Sequence, residues 1–158
     1  MSLRTRAPAA WARAGVVLAA VLAADQIVKA LVVSALQRGE ERDLVIGAKL
    51  VNTRNTGIAF GQLQDGGVIV SAVIAIALCG LLAYFAYNAH RPLMWLPTGM
   101  LLGGALGNIV DRVREGAVID FLKLPHWPAF NVADAAITIG VVILLVVVER
   151  DDRARRRA

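Results

Sequence analysis

Residues 103–140 read GGALGNIVDRVREGAVIDFLKLPHWPAFNVADAAITIG, and the fold turns on how this stretch is read. Four carboxylates (Asp111, Glu115, Asp120, Asp134) and two amides (Asn108, Asn131) stand here among glycine, alanine and aliphatic residues. Acids near a bilayer core are rare and costly, so several close together call for a chemical reason. Asp120 lies between Ile119 and Phe121, and Asp134 opens a new apolar run. A short connector joins them at a membrane boundary, which makes them a candidate pair sharing one proton.

Outward from this stretch the chain is greasy. Its 158 residues are 58% hydrophobic and the mean hydropathy is +0.62, above the roughly 45–50% apolar content of soluble domains. Four apolar segments stand out, at about 14–36, 68–87, 94–110 and 132–148, each close to the roughly 20 residues that a membrane pass requires. The first resembles a cleavable signal peptide, with arginines ahead of it. Its apolar character resumes after Asp25-Gln26 and runs through IVKALVVSAL, so an uncleaved helix is expected. The expected fold is an all-α membrane protein of four transmembrane helices in one domain, residues 1–158, with outer loops at 37–67 and 111–131.

Net charge is +5, yet the basic residues form no nucleic-acid-binding patch. Five arginines fall in the last nine residues, RDDRARRRA, and Arg4, Arg6 and Arg13 flank the first apolar run. Such tails suit anionic headgroups and topology signals. With the N-terminus cytoplasmic, the inner segments hold nine Lys and Arg and the outer ones seven. Both termini are therefore expected inside, with both long loops on one outer face. The single cysteine, Cys79, excludes disulfides within the chain. His90 and His126 fall on opposite faces in this topology and cannot share a metal. In the first outer loop, KLVNT and GIAFG are β-rich and flank Arg54-Asn55-Thr56, which suggests a small sheet on the membrane with Phe60 as an interfacial anchor.

Three further groupings carry polar chemistry. Asp25 and Lys29 are spaced i, i+4 in the first helix. They read either as a self-neutralising pair with Lys29 snorkelling outward, or as an acid turned inward to brace the other helices. Asn108 and Asp111 share a helix face after Gly103, Gly104 and Gly107, small residues that permit close helix approach; a polar end to a packing helix is the plain reading. Asn131 and Asp134 fit N-cap and N3 of the fourth helix, which alone would account for both. Asp120 has no comparable plain reading. Two carboxylates held close cannot both ionise, which supplies one general base and one general acid. Ser34 lies about 140° round the helix from Lys29, so no Ser–Lys dyad forms, and no GxSxG, HExxH or P-loop occurs.

Five pieces occur in order along nearly the whole chain: Asp25-Gln26 with Lys29, the segment from Asn55 to Gly61, GGALGNIVDR, VIDF at 118–121, and FNVAD at 130–134. In these the chain resembles the lipoprotein signal peptidases (signal peptidase II), integral-membrane aspartic endopeptidases of bacteria. The resemblance implies four transmembrane helices with a small extracytoplasmic β-cradle. It implies cleavage of diacylglyceryl-modified prolipoproteins before the lipidated cysteine, at the outer face of the cytoplasmic membrane; the expected partners are the lipidated substrate and the bilayer, with the chain acting as a monomer. It implies Asp120 and Asp134 as catalytic residues, and Asp25, Lys29, Asn55, Gly57, Asn108, Asp111, Arg112, Asn131 and Ala133 as site-supporting ones, with no metal and no cofactor. A small proton-coupled transporter is the alternative reading. It would step its acids through the membrane depth, whereas most acids here gather at one face.

Overall fold

The computed structural model describes residues 3–45, 47–56 and 66–156. Gly57, Phe60 and the GIAFG strand expectation lie outside them. The described elements are, in order, α1 (Leu3–Ala35), β1 (Glu41–Asp43), β2 (Lys49–Asn55), α2 (Gly66–Asn88), α3 (Trp95–Glu115), β3 (Val118–Lys123) and α4 (Val132–Arg156). Mostly helical, the chain carries one small antiparallel sheet of order β1-β2-β3.

Among the described residues, Pro8–Ala35 and Val132–Arg153 are long and apolar enough to cross a bilayer, and Ile76–Asn88 forms a shorter apolar stretch. Their outward faces expose large apolar side chains, including Val16, Ile27, Leu31, Ile76, Val142 and Leu145. Water does not favour contiguous apolar surface of this extent, and lipid does. α3 differs because its surroundings are helices: it packs between α1 and α4 and buries Leu102, Gly103, Gly104, Gly107, Asn108 and Asp111. Its glycines set that closeness. A Cβ on Gly103 would meet the Leu18 carbonyl oxygen at 2.7 Å, and one on Gly104 the Ala133 carbonyl oxygen at 2.6 Å.

α3 and α4 extend beyond the apolar runs seen in sequence. α3 continues through Asp111 and Arg112 to Glu115, where Gly116 takes a left-handed φ of 70° and its N–H bonds the Arg112 carbonyl, a glycine C-cap. Arg112 and Arg114 in the last turn oppose the negative end of the helix dipole. Asp111 and Arg112 are therefore helical residues rather than loop residues.

Two apolar clusters mark the bundle's ends. Ala10, Ala14, Phe85, Ala89 and Met94 gather where α1 starts and α4 finishes, with Leu144, Val147 and Val148 against them. At the opposite end Val32, Leu36 and Phe121 pack with Val28, Leu50, Leu122 and Val132. Val28, Val32 and Leu36 recur every four residues, so one stripe of α1 receives the apolar face of the sheet. KLVNT forms most of β2, as expected. β3 pairs with it at Thr53↔Asp120 and Asn55↔Val118. An isolated bridge from Leu122 to Phe130 then folds the Pro-rich connector back toward α4.

Candidate active site

α4 begins with a reciprocal cap. The Asp134 N–H donates to Asn131 Oδ1 at 2.9 Å and the Asn131 N–H to Asp134 Oδ2 at 3.2 Å, so the expected N-cap and N3 pair is present. Ala133, fully buried, donates its N–H to Asp25 Oδ1 at 2.9 Å. The orphan N–H groups of a helix start need acceptors, and these carboxylates and the amide supply them.

Asn131 does more than cap. Its Nδ2 lies 2.8 Å from Asp120 Oδ1, 3.1 Å from Asn108 Oδ1 and 3.2 Å from the Ile119 carbonyl. One residue therefore holds Asp134 through its backbone and Asp120 through its side chain. The remaining oxygens are held from other elements: Asn108 Nδ2 donates to Asp134 Oδ1 at 2.8 Å and Asn55 Nδ2 to Asp120 Oδ2 at 2.9 Å. β2, β3, α3 and α4 thus converge on two carboxyl groups. Asp120 is buried and Asp134 half-buried. Burial pushes Asp120 up to about 6, with Asn55's hydrogen bond drawing it down, the Asp134 charge raising it again, and Asn131 and Lys29 lowering it. An acid of this kind carries a proton far more readily than an ordinary aspartate.

Beneath the pair sits a buried ion cluster. Lys29 Nζ lies 2.7 Å from both Asp25 Oδ2 and Asp111 Oδ2 and 3.1 Å from Asn108 Oδ1. Its three protons have three acceptors, and at 2% exposure it does not snorkel outward. Burial and pairing favour the second reading of Asp25, in which the acid turns inward and braces α4. Asp111 Oδ2 also accepts the Ile119 N–H at 3.0 Å, so the cluster fixes the start of β3 one residue before Asp120. A Cβ on Gly107 would stand 2.6 Å from Asp25 Oδ2, and glycine there leaves room for the carboxylate.

Of the expected site residues, Asp25, Lys29, Asn55, Asn108, Asp111, Asn131 and Ala133 join one network with Asp120 and Asp134. Arg112 is less engaged: its Nη1 reaches the Asn108 carbonyl at 3.3 Å, and its buried Nε has no partner among the described residues. Gly57 lies outside them. Gln26 goes beyond the expectations, donating to Asp111 Oδ1 at 3.0 Å and to the Gly107 carbonyl at 3.3 Å. Its signal was a second polar residue beside Asp25 in an otherwise apolar helix. Asn52 and Arg54 were also not singled out as site residues. Asn52 Nδ2 donates to the Leu36 carbonyl and its Oδ1 accepts from Arg54, whose Nε pairs with Glu115.

A cleft of about 470 Å³ opens on Asp120, lined by Thr53, Asn55, Lys123, Pro128 and Ala129 among others. Its rim is braced by Glu41, which bridges Lys123 at 2.8 Å and Lys49 at 2.9 Å. These two hydrogen bonds draw the Glu41 carboxyl down to about 2.

Residues 17–149 match the family model for signal peptidase (SPase) II. The chain belongs to the signal peptidase II family. A lipoprotein signal peptidase of Moorella thermoacetica is 44% identical over 127 residues, covering 78% of this chain and 84% of the relative. One of Brevibacillus brevis is 40% identical over 144 residues, covering 89% and 97%, and one of Symbiobacterium thermophilum is 41% identical, covering 88% and 98%. A bacterial membrane enzyme solved by the in meso method at 1.9 Å resolution superposes with a TM-score of 0.79 at 28% identity, covering 85% of this chain and 91% of its own. A signal peptidase II is an aspartic peptidase that removes signal peptides from prolipoproteins. Carboxylates held in pairs are the chemistry such an enzyme requires.

Proposed function

We propose that Asp120 and Asp134 are the catalytic pair of this signal peptidase II, cleaving diacylglyceryl-modified prolipoproteins immediately before the lipidated cysteine. The observation that carries this reading is Asn131, whose backbone holds Asp134 while its side chain holds Asp120. Asp120, whose pKa burial raises to about 6, serves as the proton donor and Asp134 as the proton acceptor. Asp134 takes a proton from water as the oxygen attacks the scissile carbonyl carbon, and Asp120 gives its proton to the carbonyl oxygen. When the tetrahedral intermediate collapses, the C–N bond breaks. Asp134 returns its proton to the leaving amine, and Asp120 recovers one from the intermediate's hydroxyl.

Asp25, Lys29, Asn108, Asp111, Asn131 and Ala133 position this pair, Asn55 anchors Asp120 from the sheet, and Gly57 and Arg112 are further site-supporting residues. Residues 1–158 act as one integral-membrane peptidase domain that works as a monomer without metal or cofactor. The chain crosses the bacterial cytoplasmic membrane four times, with both termini inside and the pair at the extracytoplasmic face. Supporting this topology are the apolar helices and the position of the sheet, at the opposite end of the bundle from the start of α1 and the end of α4. The test is cleavage of a lipidated prolipoprotein by purified protein in liposomes. Mass spectrometry should find a mature product beginning at the lipidated cysteine, undiminished by a metal chelator. A cut at another peptide bond, or chelator-sensitive cleavage, would overturn it.

A further inference from the structure

Asn55 is the last residue of β2 and stands at an exposed strand end, yet its Nδ2 meets the buried Asp120 Oδ2 at 2.9 Å. The ladder beside it is short. The β2–β3 register shifts between Leu50 and Thr53, and Thr53, Arg54 and Asn55 pair after that irregularity. Strand ends of this kind open easily, so side-chain ties must help set where Asn55 stands. Arg54, which projects from the other side of the strand, supplies them. Its Nη1 donates to Asn52 Oδ1 and its Nε to Glu115 Oε2, both at 2.6 Å. Asn52 in turn donates to the Leu36 carbonyl at 2.8 Å, one residue past the end of α1. Glu115 is the last residue of α3. An acid at the negative end of a helix dipole is unfavourable, and the guanidinium offsets it.

We propose that Arg54 is a positioning residue for the proton donor: through Asn52 and Glu115 it ties the end of β2 to the ends of α1 and α3, and so holds Asn55 against Asp120. The proposal rests on the reading of Asp120 and Asp134 as the catalytic pair. The Arg54 side chain is 10% exposed, which shields the tie from solvent, and charge-assisted hydrogen bonds are the stronger kind. A planar guanidinium suits this place because it donates in two fixed directions at once, which a lysine ammonium does less rigidly. Arg54 also borders the cleft on the sheet, whereas Glu115 stands on α3. A role in binding would belong to Arg54 alone, and the tie requires both residues.

Steady-state cleavage of a lipidated prolipoprotein by Arg54→Gln, Glu115→Ala and the double variant tests this, with the melting temperature of each. Arg54→Gln should lower kcat about tenfold at unchanged KM. Glu115→Ala should lower it by a smaller factor, because the Asn52 half of the tie remains. The double variant should match Arg54→Gln, since both changes act through one contact. In all three the alkaline limb of kcat should move to higher pH. Asn55's hydrogen bond draws Asp120 down, so loosening it lets that carboxyl keep its proton longer, while the charges of Asp134 and Lys29 that also face it stay in place. Wild-type kcat in Glu115→Ala, losses that multiply in the double variant, losses confined to KM, or an unmoved alkaline limb would each overturn the tie. Should Arg54→Gln fail to fold, Glu115→Ala, a change at a partly exposed helix end, still decides through kcat and the pH profile. Cleavage by Asp120→Asn in the same assay would instead strike the catalytic pair, and its failure to cleave leaves that pair standing whatever becomes of Arg54.

Discussion

Asp120 and Asp111 are both buried acids, and their partners give them different work. Asp111 is matched by Lys29 and by the Ile119 N–H, partners that tie it to α1 and to the start of β3. Among the described residues Asp120 accepts from the neutral amides of Asn55 and Asn131, and burial lifts it to about 6. In the mechanism proposed above Asp120 is the acid and must carry a proton, so activity is expected below that pKa and is expected to be lost as pH rises through it. The pH profile of kcat/KM should therefore fall on an alkaline limb near or above 6, and that of kcat at higher pH still, since bound substrate expels more water. A flat profile from pH 5 to 9 would contradict this assignment. Lys29 gives a second prediction. Lys29→Met leaves Asp25 and Asp111 buried without their cation and should cost about 3–5 kcal/mol, read as a fall in melting temperature in detergent. Adding Asp111→Asn should restore part of that loss, because the residual repulsion goes with it.

At the scale of elements, α3 is the spine against which α1 and α4 are set, and its small residues fix the distance. Gly104→Ala should be destabilising by about 1–3 kcal/mol, because the new Cβ must displace the Ala133 carbonyl. Since that carbonyl belongs to the first turn of α4, Asp134 moves with it, and kcat should drop on the order of 100-fold. Gly80→Ala on α2 meets nothing within 4 Å and should instead stabilise by about 0.5–1 kcal/mol through helix propensity. Melting curves and turnover of the two variants check the contrast. Helices were legible in the sequence because apolar runs of spanning length have few other uses. The continuation of the third helix from Arg112 to Glu115 and the strand VIDFLK were not legible. The first is polar where it enters the loop region, and the second is buried from Val118 to Phe121, so it lacks the alternation that marks a half-exposed strand. Asp120 was conspicuous for the same reason, an acid with apolar neighbours and no visible partner. Its partners Asn55 and Asn131 lie 65 positions before it and 11 after.

Among the described residues, one end of the bundle packs Phe85 and Met94 against α1 and carries the Arg91–Asp151 ion pair, and the other carries the sheet, the ion cluster and the two carboxyl groups. Among the described residues Asp25, Asp111, Asp120 and Asp134 are tied into one network through Lys29, Asn108 and Asn131. Asp25, Lys29 and Asp111 form a closed cluster next to Asn108, and Asn108 orients Asp134. This gathering at one end was foreseeable from charge distribution and loop lengths. The bridge through Asn131 was not, since its plain role as a helix cap accounts for it fully until Asp120 is brought alongside. Single-turnover processing of a lipidated prolipoprotein by wild type, Asp120→Asn and Asp134→Asn, each with its melting temperature and substrate affinity measured, tests the central claim most directly. The account predicts that both variants fold and bind substrate but yield no mature product; cleavage at the wild-type rate by either would contradict it.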